Sequence, residues 1–457
     1  MRIAMLTNNY KPFVGGVPIS VERQAEELVK RGHSVTVFAP EYDADKEEKK
    51  KGNRIKNRIA CPCGAPEKER IEGWIRNYGY DNGIRIIRFG TGKQCMDNGM
   101  VYPKLILREI TDVFAQETFD LIHTHHPMFV GPTALYLGRK YQIPVVYTYH
   151  TRYEDYLHYL DFLRKDRSFP TARRWALEFA RETVVPKYMK WFTNQCDLIL
   201  APTAGMLKRI RENGTHTQAA VFPTGLKEEF YSGHLEEAME IHHRYLPQGG
   251  VLFAVTGRLE EEKNPGFLLE GVAKLKEKMS VPFQVLFIGS GSMRKALGQK
   301  AEELGIADVV HFLGNVVNGQ VNRYLQASDL FLFASKSETQ GIVLAEAFAS
   351  GCPVVAVDAS GVEDIVENGV NGFRTVEDVD VWSDKVLEAL DKREYMGEQA
   401  KITAEGYRLA RLAAYEELLY GQCIAAKADK QEEMGYEYEE DGAENITRRV
   451  FRIFKTS

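Results

Sequence analysis

The chain has 457 residues, 44% of them hydrophobic, which is too long for one ordinary core and suits two α/β domains. The formal net charge is −5, with 59 Lys plus Arg against 64 Asp plus Glu, so nothing global points to nucleic acid, and any membrane or polyanion contact must come from local patches. Six scattered cysteines form no disulfide framework and read as reduced thiols in a cytosol, and no apolar run approaches the roughly 18 to 20 residues of a membrane span, so neither a secretory signal nor an anchor is expected.

In chain order, Met1 to Leu6 reads as a first buried strand. SVTVFAP, IRIIRFG, DLIHTHH, PVVYTYH and DLILAP follow in the first half, then VLFAVTGRL, FQVLFIGSG, VVHFLGN, DLFLFAS and PVVAVDA in the second. Runs this short and apolar fit parallel strands covered on both faces, with crossover helices between them. The expected class is α/β: two Rossmann-like, doubly wound domains facing across a cleft. The expected division is a first domain over 1–201, a hinge over 202–224 that ends on Pro223 to Gly225, and a second domain over 225–390. A helix over 391–425 is expected to pack back on the first domain, followed by a charged tail over 426–457. Lys46 to Arg58, with seven basic residues, reads as a solvated excursion, and Glu432 to Glu444 carries seven acids ahead of NITRRVFRIFKTS.

Several segments carry chemistry. Gly15 and Gly16 precede a helix-like stretch, where adjacent glycines let backbone approach a phosphate or simply form a turn. His123, His125 and His126 sit at a strand end; alternation puts His123 and His125 on one face with no evident third ligand, so no metal is expected. His150, at another strand end, is placed to donate a hydrogen bond to a transferring sugar or leaving phosphate, or else is a satisfied core histidine. Cys61-Pro-Cys63 reads as a turn with two free thiols. Arg258 and Lys263 follow a buried strand where open α/β sheets bind ligands and where a diphosphate leaving group needs positive charge; singly, each is an ordinary solvated cation. In FIGSGSMRKALG, Arg294 occupies the third-glycine position of the dinucleotide fingerprint, which argues against NAD. In SETQGIVLAEAFASG, Glu338 precedes a helix expected to start near Gln340, and Glu346 lies eight residues downstream. A carboxylate beside free first-turn N–H groups can grip a sugar and its diphosphate, with Glu346 in reach of ribose hydroxyls; an ordinary amphipathic helix with surface acids is the plainer reading, above all for Glu346 alone.

Together the Gly-Gly loop, GRLEEEKN, FIGSGS, FLGN and ETQGIVLAEAFASG resemble, in order and spacing, the retaining GT-B glycosyltransferases of family four, to about residue 425. The resemblance implies that Arg258 and Lys263 bind the donor diphosphate, Glu346 the ribose and Glu338 the sugar hydroxyls. It assigns the amides of Gln340, Gly341 and Ile342 to sugar and phosphate, and Gly16 to the diphosphate. Gly15, Gly289 and Asn315 join the donor-binding set, and His150 lies at the reaction centre. His150, Glu338, Arg258 and Lys263 form the catalytic set.

YTYHTRYEDYLHYL is similar to a segment of bacterial diacylglycerol glucosyltransferases, and eight cations against three acids lie between Arg164 and Lys190. Arg164, Lys165, Arg167, Arg173, Arg174, Trp175, Arg181, Lys187 and Lys190 are the expected contacts with an anionic membrane, where each cation contributes about 1 kcal/mol; a solvated helix face is the plainer reading. The Asn53 to Tyr80 region and the tail depart from that subgroup and bear on acceptor identity. The resemblance implies transfer of glucose from UDP-glucose to 1,2-diacylglycerol with an α linkage, by a cytoplasmic enzyme peripheral on the inner face of the cell membrane. No cofactor is required, with Mg2+ stimulation left open, and no nucleic-acid partner is implied. Another donor sugar, another lipid such as a phosphoinositide, or a soluble acceptor are alternatives within the class. A Rossmann dehydrogenase and a non-catalytic sugar-nucleotide binder are the alternatives outside it.

Overall fold

The computed structural model describes residues 1–13, 15–42, 78–95, 101–103, 107–153, 178–316, 318–336 and 338–434. The expectations placed on Lys46 to Arg58, on Cys61 and Cys63, on Arg164, Lys165, Arg167, Arg173, Arg174 and Trp175, and on the last part of the tail lie outside the described residues. Contacts divide the chain into two units, residues 1–201, 210–220 and 415–457 in the first and 202–209 and 221–414 in the second.

The first unit is built on β1 (Arg2–Leu6), β2 (Ser34–Pro40), β3 (Tyr78–Asp81), β4 (Ile84–Phe89), β5 (Thr91–Cys95), β6 (Val101–Pro103), β7 (Leu121–Thr124), β8 (Val145–Thr148), β9 (Leu198–Ala201) and β10 (Ala219–Val221). Eight of these strands form one sheet in the order β10-β9-β8-β7-β1-β2-β4-β3, and β5 and β6 pair separately. The pairs from β9 to β4 run parallel, and β3 is antiparallel to β4. Residues 3–6 of β1 are buried without alternation, because helices cover both faces of a parallel sheet. The helix Gly16–Lys30 supplies part of that cover, burying Pro18, Val21, Ala25 and Leu28 at helical spacing.

The second unit contains β11 (Val251–Thr256), β12 (Phe283–Ile288), β13 (Val310–Gly314), β14 (Leu330–Phe333), β15 (Val354–Val357) and β16 (Gly372–Thr375), in the order β13-β12-β11-β14-β15-β16. All five pairs are parallel. Period-two alternation feeds two cores here. Phe253, Val255, Leu332 and Val355 pack on one face with Leu268 and Trp382, while Ala254, Phe331, Phe333 and Val354 pack on the other with Leu344 and Phe348. Both sheets are therefore doubly wound, as the sequence pattern implies.

Two boundaries differ from expectation. Within the expected hinge over 202–224 lie the helix Ala204–Glu212 and then β10, an edge strand of the first sheet that the sequence pattern did not mark. The 391–425 stretch divides: the helix Arg393–Ala404 buries Met396, Ala400 and Ala404 in the second unit's cores, and only from Tyr415 does the helix Leu409–Met434 count with the first. Composition made both segments helix-like but left open which core each would fill.

Trp382 is fully buried against Phe267, with ring centroids 6.1 Å apart. Trp382→Ala is expected to cost about 3–5 kcal/mol, read as a lower urea midpoint for the second unit's transition. An unchanged midpoint would contradict this packing.

Candidate donor site and histidine stack

In the second sheet the strand order reverses beside β11, so connections leave in opposite directions and a crevice opens at the carboxyl ends of β11 and β14. Arg258 and Lys263 emerge from the first of those ends, and Glu338 from the second. Lys263 Nζ lies 2.5 Å from Glu338 Oε1, and Arg258 Nη2 lies 2.7 Å from Glu262 Oε1. The Glu262 carbonyl accepts from the Lys336 N–H at 3.1 Å and from Ser335 Oγ at 3.3 Å, which ties the two loops together. Each cation is thus oriented by a carboxylate, and Arg258 remains exposed.

The helix that follows Glu338 spans Ile342–Ala349, two residues later than expected, because Gly341 adopts the left-handed conformation (φ 70°) as its N-cap. No side chain caps this helix, so first-turn amide positive charge faces outward from its start. The Gln340 side chain turns away to clasp Thr224, accepting from its N–H at 2.7 Å and donating to its carbonyl at 3.2 Å. Only the backbone of Gln340 therefore remains for a donor contact. Glu346 is buried on the helix.

Gly289 follows β12 at φ 134°, where an added Cβ would lie 2.0 Å from the Gly257 carbonyl oxygen. That contact brings the β11 and β12 loops backbone to backbone. Asn315 is exposed and accepts from Ser290 Oγ at 2.9 Å. Arg294 stacks over the Phe312 ring at 4.2 Å, so the third-glycine position carries a cation–π contact instead of a close helix–strand approach.

The first sheet reverses between β1 and β7. After β1, Gly15 is extended and lies where a Cβ would press on Phe13 at 3.2 Å, while a Cβ on Gly16 would meet nothing within 4 Å. The histidines lie at the carboxyl ends of β7 and β8, His123 within β7 and His125, His126 and His150 just beyond the strands. His126 Nδ1 accepts from the Asn8 N–H at 3.1 Å. His123 is held at both nitrogens, Nδ1 2.6 Å from the Tyr420 hydroxyl and Nε2 2.7 Å from Thr148 Oγ1. His125 Nδ1 lies 2.9 Å from His150 Nε2. The rings of His123, His125 and His150 stack in series, with centroid separations of 4.1 and 5.2 Å. Burial holds His123, His126 and His150 down to about 3, and His125 well below the ordinary value. All four are neutral near pH 7. His150 is accordingly a neutral imidazole, with one nitrogen to donate and one to accept.

Among the described residues, no cluster of three His, Cys, Asp or Glu side chains is arranged to hold a metal ion. Of the expected membrane contacts, Arg181, Lys187 and Lys190 are described and exposed, as is Phe179, while the helix Val185–Thr193 buries Val185, Tyr188, Met189 and Phe192 on its other face. Sequence reading missed Glu262, Asn8, Thr148, Tyr420 and Glu416. Tyr420 and Glu416 lie one turn apart on the C-terminal helix, but their partner His123 is 297 residues from Tyr420 in sequence, so no local signal links them.

Residues 14–230 match the family described as Glycosyltransferase Family 4, and residues 240–406 match Glycosyl transferases group 1. The chain is 27% identical over 381 residues to an alpha-monoglucosyldiacylglycerol synthase of Acholeplasma laidlawii, covering 82% of this chain and 84% of that one. It is 28% identical over 431 residues to a D-inositol 3-phosphate glycosyltransferase of Corynebacterium urealyticum, covering 89% and 92%. Its fold is similar to that of sucrose-phosphate synthase from Thermosynechococcus elongatus, with a TM-score of 0.67 at 17% identity, covering 93% and 99%.

Glu416 is fully buried, and burial raises its carboxyl to about 8. The unfolded carboxyl releases its proton near 4.5, so between those values the folded state binds more protons, and stability falls as pH rises toward 8. The histidines act oppositely: the unfolded chain protonates them near 6.5 and the folded chain only near 3, so stability is lost as pH falls below 6.5. Melting curves of wild type and Glu416→Gln are expected to diverge as pH rises from 5 to 9, with the variant gaining relative stability. A difference independent of pH would contradict this burial.

Proposed function

Because the chain is a glycosyltransferase of the GT-B fold, we propose that it moves glucose from UDP-glucose to 1,2-diacylglycerol with retention, making α-glucosyl diacylglycerol. The single observation that carries the donor half is the pair of carboxylate-oriented cations, Arg258 and Lys263, at the strand-order reversal of the second sheet. In this reading a diphosphate takes up both cations and the first-turn amides of the Ile342–Ala349 helix. Glu338 turns to the sugar hydroxyls and Glu346 to the ribose.

The chemical difficulty is charge separation, because an oxocarbenium-like sugar and a diphosphate anion develop together. The anomeric C–O bond to the diphosphate breaks, and the acceptor oxygen bonds to the same face of that carbon. The acceptor proton passes to an oxygen of the departing β-phosphate. Arg258, Lys263 and the helix amides stabilise the leaving group electrostatically, so the mechanism calls for neither a side-chain nucleophile nor a resident metal. Glu338, already paired with Lys263, serves as a positioning carboxylate. The first unit contributes Gly16, where backbone is open to a phosphate, and the neutral donor His150.

The acceptor half rests on likeness to the Acholeplasma synthase. It is supported by the exposed Phe179, Arg181, Lys187 and Lys190, which suit the anionic face of a membrane. Among the described residues no helix is long and apolar enough to cross a membrane, so contact would be peripheral. The corynebacterial relative makes a soluble phosphorylated inositol the competing acceptor.

Radiolabelled UDP-glucose is supplied with anionic vesicles containing diacylglycerol, and separately with inositol phosphate. Lipid-extractable label is expected only in the first arm, and label confined to the second would overturn the lipid acceptor. Arg258→Ala is expected to weaken UDP binding about ten- to a hundredfold, equivalent to about 1.5–3 kcal/mol for hydrogen bonds to a charged group. Unchanged UDP affinity by calorimetry would remove Arg258 from the diphosphate site.

A further inference from the structure

We propose that Glu416 and Tyr420 of the C-terminal helix are positioning residues that, through the stacked imidazoles of His123 and His125, hold His150 with its proton on Nδ1. The inference rests on the reading of His150 as the donor assigned to the transferring sugar.

The hydrogen bonds form one chain. The Tyr420 hydroxyl bridges Glu416 Oε1 at 2.5 Å and His123 Nδ1 at 2.6 Å. His123 Nε2 is held in turn by Thr148 Oγ1, 2.7 Å away. Both nitrogens of His123 are thereby fixed, and its ring cannot turn without breaking one of these bonds. The His123 ring lies 4.1 Å from that of His125 at 35°, so a fixed His123 limits the orientations open to His125. Thr148 also ends β8 two residues before His150, and its carbonyl accepts from the His150 N–H at 3.1 Å. The relay therefore braces the His150 backbone as well as the stack.

The tautomer follows from what His125 lacks. Its Nε2 is buried and has no hydrogen-bond partner among the described residues. A buried N–H without an acceptor is rarer and costlier than an acceptor lone pair left empty. His125 accordingly keeps its proton on Nδ1 and donates it to His150 Nε2, 2.9 Å away. Neutral His150 must then carry its own proton on Nδ1, the nitrogen not engaged by His125. Glu416 Oε2 is also buried without a partner among the described residues, so the carboxyl anchors the chain through Oε1.

Two measurements on the full chain test this. Long-range nitrogen–proton spectra of the 15N-histidine-labelled protein report each imidazole's tautomer without any substrate, and so independently of which sugar is moved. His150 is expected as the Nδ1–H form, and an Nε2–H form would overturn the assignment. Steady-state kinetics are then compared with whichever nucleotide sugar the wild type turns over. Tyr420→Phe is expected to lower kcat on the order of tenfold, as misplacement of a reacting group does, with KM for the donor within about twofold. Glu416→Ala should show the same loss, and Glu416→Gln, which keeps a hydrogen-bonding group at that position, should recover it. Should Tyr420→Phe fail to fold, Thr148→Ala breaks the relay from its other end. Wild-type kcat in the folded variants would sink the proposal, while absence of transfer by the wild type with the expected His150 tautomer would count against the functional reading alone.

Discussion

Strand order reverses beside the first strand of each sheet, and the candidate functional groups of both units are placed by that reversal. Parallel strands present all their carboxyl ends on one edge, and connections that depart in opposite directions leave a gap there which no helix fills. Arg258 and Lys263 enter that edge of the second unit after β11, Glu338 after β14 and Gly289 after β12. In the first unit Gly15 and Gly16 follow β1, His125 and His126 follow β7, and His150 follows β8. The chemistry is supplied by loops, while the two-sided burial of the strands holds those loops in register.

The two units bring opposite electrostatics to their edges. In the second, formal charge is present and organised: each cation has a carboxylate within hydrogen-bond distance, so its orientation is set before any anion arrives. A diphosphate meeting this edge exchanges one anionic partner for another, which reduces the cost of desolvating the cations. Around the histidines of the first unit charge is suppressed. Burial keeps four clustered imidazoles neutral, because an imidazolium withdrawn from water loses its hydration. A neutral imidazole can donate a hydrogen bond without adding a formal positive charge.

The C-terminal helix matters beyond closing the core. Arg31 Nε and His33 Nε2 meet Glu417 at 2.8 and 2.7 Å, and Lys427 meets Asp197 at 2.9 Å, fixing the helix along the first unit. Between those anchors Glu416 and Tyr420 face inward to His123. Burying an acid here costs stability unless it stays protonated, and its persistence in a core is easier to understand as orientation of the histidines than as a source of stability.

The sequence by itself determined the class of fold, because short apolar runs bounded by turn residues can be satisfied only by strands buried on both faces. It also marked GRLEEEKN and ETQGIVLAEAFASG as candidate loops, since both carry their charges immediately after such runs. Missed were the short edge strands β3, β10 and β16, whose three or four residues hold too little periodicity to stand out from loop. The start of the Ile342–Ala349 helix was displaced because the left-handed turn at Gly341 is set by backbone geometry and not by apolar spacing. Tertiary structure alone decided which carboxylate orients which cation, that the Gln340 side chain serves Thr224, and that Glu416 and Tyr420 reach His123. Those pairings join residues up to 297 positions apart, and a hydrogen bond depends on distance and direction, neither of which a linear pattern contains.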